Sequence, residues 1–140
     1  MAYWLMKSEP DVFSYDDLTK KKAEEWHGVR NFQARNNMVK MQLGEEVFFY
    51  HSNIGKEIVG IMKVVALAHS DSTAQPNDKG KVVWQCVDVA AVKAFPRPVT
   101  LEQIKATPKL KDMVLANNSR LSVQPVSDAE WALVCRMGGL

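Results

Sequence analysis

The period of hydrophobic and polar positions changes repeatedly along the chain, and each change marks an element. Tyr3 to Lys7 is a short aromatic-rich run that predicts a strand. Ser8-Glu9-Pro10 ends it, since Pro10 disfavours a helical Glu9 and has no N–H for a ladder. Ser14 followed by Asp17 is a capping-box start and predicts a helix to about Ala23. Lys20, Lys21 and Lys22 suit its C-terminal end, as a solvated run rather than a phosphate patch. Asn31 to Met41 predicts a second helix, with Ala34, Met38 and Met41 as its core stripe and Phe32, Arg35 and Asn36 on another face. Val47–Tyr50 and Ile58–Leu67 read as strands joined through the turn Asn53-Ile54-Gly55-Lys56. Ser70–Lys81 is a long polar loop. Val82–Val92 is the longest predicted strand, and its Asp88 must face solvent or find a partner. Phe95–Pro98 reads as an extended connector. Thr100 with Gln103 caps a short helix to about Ala106, and Thr107-Pro108 opens another that Asn117-Asn118 ends. Leu121–Pro125 is a last strand. Ser127 with Glu130 caps a C-terminal helix carrying Trp131, Val134 and Met137, stopped by Gly138-Gly139.

These are about six strands and four or five short helices, with sequence-adjacent strands joined by tight turns. The pattern predicts an α+β fold, a mixed or antiparallel sheet curled toward a small barrel with helices outside it. With 140 residues and no repeat or linker, residues 1–140 are expected to form a single domain. Charged residues are 24% of the chain and hydrophobic ones 46%, which argues for a packed core over disorder. The net charge of +2 is too small for a protein that grips long duplex DNA by its phosphates, so any nucleic-acid affinity must come largely from a local pocket. Cys86 and Cys135 are too few for a disulfide scaffold, and His27, His51 and His69 lack metal-ligand spacing, so neither a metal nor a cofactor is expected. There is no GxGxxG or P-loop. The N-terminal apolar run is too short for a signal peptide and no segment is long enough for a membrane span, so a reducing compartment, cytoplasm or nucleus, is the expectation.

The candidate chemistry lies in four clusters: Tyr3-Trp4-Leu5-Met6-Lys7-Ser8-Glu9-Pro10, Trp26 to Asn36, Tyr50-His51-Ser52-Asn53, and Gly60. Nearly every cluster joins an aromatic ring to an amide, hydroxyl or guanidinium. A flat ligand with two faces to stack and an edge to read needs that mixture, whereas a core does not. Trp26, in a polar stretch beside Gly28, is expected to wall a cavity rather than fill the core. Trp4, Trp84 and Trp131 are expected in the core. Lys7 and Ser8 stand at a strand end, where loops collect functional groups. Asn31 is a good N-cap residue as well as a candidate ligand. Arg35 and Asn36 either bind ligand or fix their helix by buried hydrogen bonds. His51 is a better donor or stacking platform than base, Tyr50 is either core or second ring, and Arg120 could reach a phosphate.

Together with Arg120-Leu121-Ser122-Val123-x-Pro125, these clusters resemble the EVE domain over essentially the whole chain, in the form found in thymocyte nuclear protein and its bacterial relatives. The resemblance implies a PUA-like small mixed β-barrel with flanking helices, related to the YTH and ASCH domains. It implies a non-catalytic reader of a modified base in DNA or RNA, single-stranded or flipped: methylated or hydroxymethylated cytosine, or methylated adenine. Lys7, Ser8, Trp26, Val29, Arg30 and Asn31 are then expected at the ligand. Arg35, Asn36, Tyr50, His51, Ser52, Asn53 and Arg120 complete the expected set, with Tyr50 or Phe32 as the second ring. Two other readings stay open. One is a hydrolase of an acylated nucleobase, as among ASCH relatives, with Lys7, Glu9 and His51 as acid–base groups, although no Ser-His-Asp or Cys-His-Asn signature is present. The other is a scaffold without a ligand.

Overall fold

The computed structural model describes residues 1–118 and 120–140. Its strands are β1 (Tyr3–Ser8), β2 (Glu24–Glu25), β3 (Glu46–His51), β4 (Glu57–Ser70), β5 (Gln85–Thr100) and β6 (Val123–Val126). Its α-helices are α1 (Tyr15–Thr19), α2 (Phe32–Lys40), α3 (Leu101–Lys105), α4 (Val114–Asn117) and α5 (Asp128–Met137). One mixed sheet runs β2-β5-β4-β3-β1-β6. Among the described residues only β1 and β3 pair in parallel, and α1, β2 and α2 form the crossover that parallel neighbours require. Register shifts at several points of the β4–β5 pair bend these two long strands.

Side-chain alternation builds a core on each face of the sheet. Trp4 and Met6 of β1 with Val47 and Phe49 of β3 join α1, α2 and Trp26 on one side. Leu5, Phe48 and Tyr50 join α3, α4 and the α5 residue Trp131 on the other. Strand β3 is therefore buried on both faces, which is why Val47-Phe48-Phe49-Tyr50 reads as an unbroken apolar run. Trp4 is pinned by its indole N–H, which donates to buried Glu45 (2.9 Å). Gly60 on β4 leaves room for the Tyr15 ring, since a Cβ there would lie 2.7 Å from Tyr15 Cζ.

Four expectations need correction. The first helix stops at Thr19, and Glu24–Glu25 pairs with Asp88–Val89 as a short strand instead. Phe95–Pro98 belongs to β5. Prolines fit there because the pairing with β4 skips from Ala94 to Val99 and β2 reaches only Asp88 and Val89, while Arg97 between the prolines donates to the Gly138 carbonyl. The long loop extends to Trp84, so the following strand begins at Gln85. Trp84 itself is half-buried and stacks on the exposed ring of Phe32, with centroids 4.6 Å apart, outside both cores. Asp88 finds its partner in His69, at 2.7 Å. Among the described residues no helix is long and apolar enough to cross a membrane.

Candidate functional site

At the C-terminal end of β1, a cavity of about 450 Å³ opens between the Ser8–Phe13 turn and the segment Glu24–Arg30. That volume lies within the range of small-molecule sites. Trp26 forms one wall. It is 7% exposed and belongs to the first core, with Phe49 set edge-on to it at 5.4 Å. The indole is thus both core and lining: its inner side packs while the rest borders the hollow. Phe13 supplies a second ring, 6.3 Å from Trp26 and at 83° to it, so the two make a corner rather than a parallel clamp. The backbone N–H of Trp26 donates to the Val87 carbonyl, anchoring the wall to β5. Its indole N–H has no acceptor among the described residues and is not one of the sealed polar atoms, so it reaches solvent.

Ser8 and Lys7 enter from β1. The Ser8 hydroxyl donates to the Phe13 carbonyl (2.6 Å), which fixes the turn and leaves the oxygen lone pairs as acceptors. Lys7 lines the cavity while its amine lies 5.6 Å from the Tyr50 ring centre, and burial pushes that amine below its ordinary range. Its backbone N–H donates to Ser122, which lines the cavity from the segment before β6. Glu24, Glu25 and His27 add polar groups at the rim, and Val29 adds apolar surface.

The loop that carries Trp26 is held by a residue that was not a candidate from sequence. Asp71, 2% exposed, accepts from the Gly28 N–H (2.8 Å), from the N–H and hydroxyl of Thr73, and from the Arg30 guanidinium (3.1 Å). Burial alone would raise its pKa. The Thr73 hydroxyl, the two N–H groups and Arg30 outweigh it and bring the carboxyl down to about 2. Gly28 adopts φ +90°, a turn that favours glycine and aims its N–H at this carboxylate. The sequence signal was faint: Asp71-Ser72-Thr73 has the composition of a side-chain-closed turn. Phe13 and Ser122 were also missed as lining, although Ser122 sits inside a motif already noted.

Of the residues expected at the ligand, Lys7, Ser8, Trp26, Val29 and Arg30 are brought together here. The others stand elsewhere. Asn31 caps α2, accepting from Ala34 N–H. Arg35 and Asn36 bond each other over a separate groove, where Arg35 also donates to the Val83 carbonyl. Tyr50 is buried in the second core, and Phe32 rests on Trp84, so neither is the second ring. His51 Nε2 accepts the Tyr15 N–H (3.1 Å), which occupies the lone pair a general base would need. Ser52 N–H donates to the Ser8 carbonyl, and Asn53 donates to Glu9 from a left-handed backbone conformation, φ 64°. Arg120 is exposed and does not line the cavity. One group of possible metal donors does gather among the described residues. Glu25, His69 and Cys86 lie within 4.8 Å of one another, and because they come from β2, β4 and β5, sequence spacing could not show it. Each is otherwise engaged: Glu25 with Ser72, His69 with Asp88 and Ser70, and Cys86 sealed in the core with its thiol pushed up to about 12 by burial.

A PUA-like sheet with helices on both faces defines the class. The chain belongs to the EVE domain family, which residues 2–137 match. It is similar to human thymocyte nuclear protein 1, with 38% identity over 95% of this chain and 72% of that protein. Among solved structures, the Agrobacterium tumefaciens protein Atu2648 shares 51% identity, covering 100% of this chain and 94% of that one, with a TM-score of 0.93. A crystal structure of the human protein in complex with 5-methylcytosine-containing DNA shares 35% identity over 100% of this chain and 99% of that one, with a TM-score of 0.91.

Proposed function

We propose that this protein is a binding module for a modified cytosine in DNA, which it takes flipped or single-stranded into the cavity beside Trp26. The observation that carries the reading is the indole wall itself, standing in a hollow large enough for a pyrimidine, in a chain similar to a protein crystallised with 5-methylcytosine DNA. A base laid against the exposed margin of Trp26, which is 7% exposed, gains about 1 kcal/mol, the low end for stacking on an aromatic. The Ser8 oxygen, its proton already given to Phe13, is suited to accept from the exocyclic amine of cytosine. The indole N–H is an unused donor for a carbonyl or phosphate oxygen. A methyl lodged against Phe13 or Val29 adds about 0.8 kcal/mol, near fourfold in affinity. Flipping a base from a duplex costs a few kcal/mol, so single strands bind more tightly than duplexes of the same sequence.

The test is a binding panel at fixed salt. It uses single- and double-stranded oligonucleotides bearing cytosine, 5-methylcytosine, 5-hydroxymethylcytosine or N6-methyladenine. A methylated cytosine strand is expected to bind at least about fourfold more tightly than its unmodified twin. Trp26 is half core, so the variant is Trp26→Phe, which keeps an apolar ring while removing stacking area and the N–H. It is expected to weaken binding of methylated and unmodified strands alike, whereas Val29→Ala, which removes apolar surface from the cavity, is expected to shrink the preference for the methyl. Equal affinity across the panel would overturn the reading.

A further inference from the structure

Outside the cavity lies a surface feature that neither core explains. Arg30, Trp84, Phe32 and Arg35 form a continuous stack. The Arg30 guanidinium carbon lies 5.6 Å from the Trp84 ring centre, Trp84 lies 4.6 Å from Phe32 at 26°, and the Arg35 guanidinium carbon lies 4.9 Å from Phe32. Helix α2 presents Phe32 and Arg35 at i and i+3, to one side of its core residues Ala34 and Met38. Phe32 is 56% exposed, in an element whose inner face already fills the core.

We propose that this stack is the seat for the DNA strand that continues beyond the base held in the cavity. The proposal rests on the reading above for the position of that base. Continuity supports it first. Arg30 lines the cavity, and Arg35 lines a neighbouring groove of about 290 Å³ together with Asn36, Lys81 and Val83. The stack therefore bridges the cavity and a groove with two cationic side chains.

Preorganisation and charge support it next. Arg30 is held by Asp71, Thr73 and the Val29 carbonyl, and Arg35 by the Val83 carbonyl and Asn36. Each guanidinium keeps N–H donors beyond those bonds, because it has five to give. Neither Arg35 nor Lys81 is in an ion pair among the described residues. Fixed guanidinium groups beside aromatic rings match a single strand: phosphates take the remaining N–H donors, and sugars and bases pack against the exposed ring edges, since Arg30, Trp84, Phe32 and Arg35 already cover one another's faces. A helix pinned to a loop for stability alone needs neither the exposed phenyl nor the unpaired cations.

The experiment measures affinity against strand length. Its probes are 5-methyldeoxycytidine monophosphate, a trinucleotide centred on 5-methylcytosine, and a strand of about ten nucleotides. The wild-type protein is expected to gain roughly tenfold or more from the nucleotide to the longest strand. Phe32→Ala is expected to lose most of that gain and to bind the mononucleotide unchanged. Lys81→Gln, at an exposed position with no ion pair, is expected to lower the slope of log affinity against log salt by about 0.7. If Phe32→Ala and Lys81→Gln both keep the full gain with length and the salt slope, the seat does not exist. If Phe32→Ala weakens nucleotide and long strand equally, the stack only buttresses the cavity and the proposal also fails. A wild type blind to methylation sinks the modified-base reading instead. The gain with length on unmodified strands, and its loss in Phe32→Ala, would still report the seat.

Discussion

Replacing Asp71 by Asn is the most informative single perturbation of this protein. The carboxylate accepts four hydrogen bonds, two from Gly28 and Arg30 of the segment that lines the cavity and two from Thr73 of its own loop. Its pKa falls from an ordinary 3.8 to about 2. At 1.36 kcal/mol per pKa unit, the ionised form stabilises the fold by about 2.5 kcal/mol. A second route gives the same size. Asparagine presents an acceptor on one side only and sets its NH₂ against a donor on the other, and an unsatisfied buried donor costs about 1–3 kcal/mol. Asp71→Asn should therefore destabilise by about 2–3 kcal/mol at neutral pH, or roughly 10 °C in melting temperature for a chain of this size.

The pH dependence follows from the depressed folded pKa. The contribution is complete above 3.8 and disappears as pH falls through 2. Chemical denaturation of wild type and variant should then differ by a constant amount between pH 5 and 8, and by about half that near pH 3. A difference under about 1 kcal/mol at neutral pH, or one that grows on acidification, would refute the placement of this carboxylate as a buried, fully paired anion.

Two further predictions rest on separate parts of the structure. The histidines should pull stability in opposite directions with pH. The hydrogen bond to Asp88 raises the pKa of His69 above 6.5, so its contribution is full below 6.5 and fades as pH rises through the folded value. Both partners are about one-third exposed, so Asp88→Asn should cost only about 0.5 kcal/mol, and only on the acid side. Burial lowers the pKa of His51, so its contribution is full above 6.5 and is lost as pH falls through the folded value; His51→Gln should flatten that acid-side loss in a melting-temperature profile. Gly60→Ala drives a methyl to 2.7 Å from Tyr15 Cζ, in a ring held by its hydroxyl on the Ile61 carbonyl. It should cost about 1–3 kcal/mol in a urea titration, and Tyr15→Leu in the same background should recover part of it.

What was legible in the sequence depended on whether the signal was local. The caps at Ser14, Asn31, Thr100 and Ser127 all form, because a cap is decided within four residues. The apolar stripe of α2 is the core stripe, and Trp4 and Trp131 are core. The prolines of β5 hide its length in the sequence, because a sequence does not show that the ladder with β4 skips from Ala94 to Val99. Tyr50 was open between core and ligand because the adjacent residues Phe49 and Tyr50 belong to different faces of a strand buried on both. Trp84 looked like core for the matching reason: an apolar context does not reveal that its partners are Phe32 and Arg30. Asp71 was invisible because every donor but Thr73 reaches it across more than forty residues of chain.

Trp26 shows why core and site could not be told apart from sequence, and why that matters for function. An indole on a mobile loop would have to be ordered when ligand arrives, at a cost in affinity. Here the ring is already immobilised by Phe49 behind it, by Phe13 edge-on, and by the Val87 carbonyl holding its backbone. The ring is rigid, and its rigidity comes from membership of the core. The same economy reaches outward through Asp71. That one carboxylate fixes Gly28, two residues from the indole, and fixes Arg30, which caps the Trp84 end of the exposed stack. Cavity and stack thus share a buried anchor, so its loss should loosen both. Under conditions where Asp71→Asn remains folded, both mononucleotide affinity and the gain with strand length should fall, and an unchanged value of either would show that Asp71 does not hold that part.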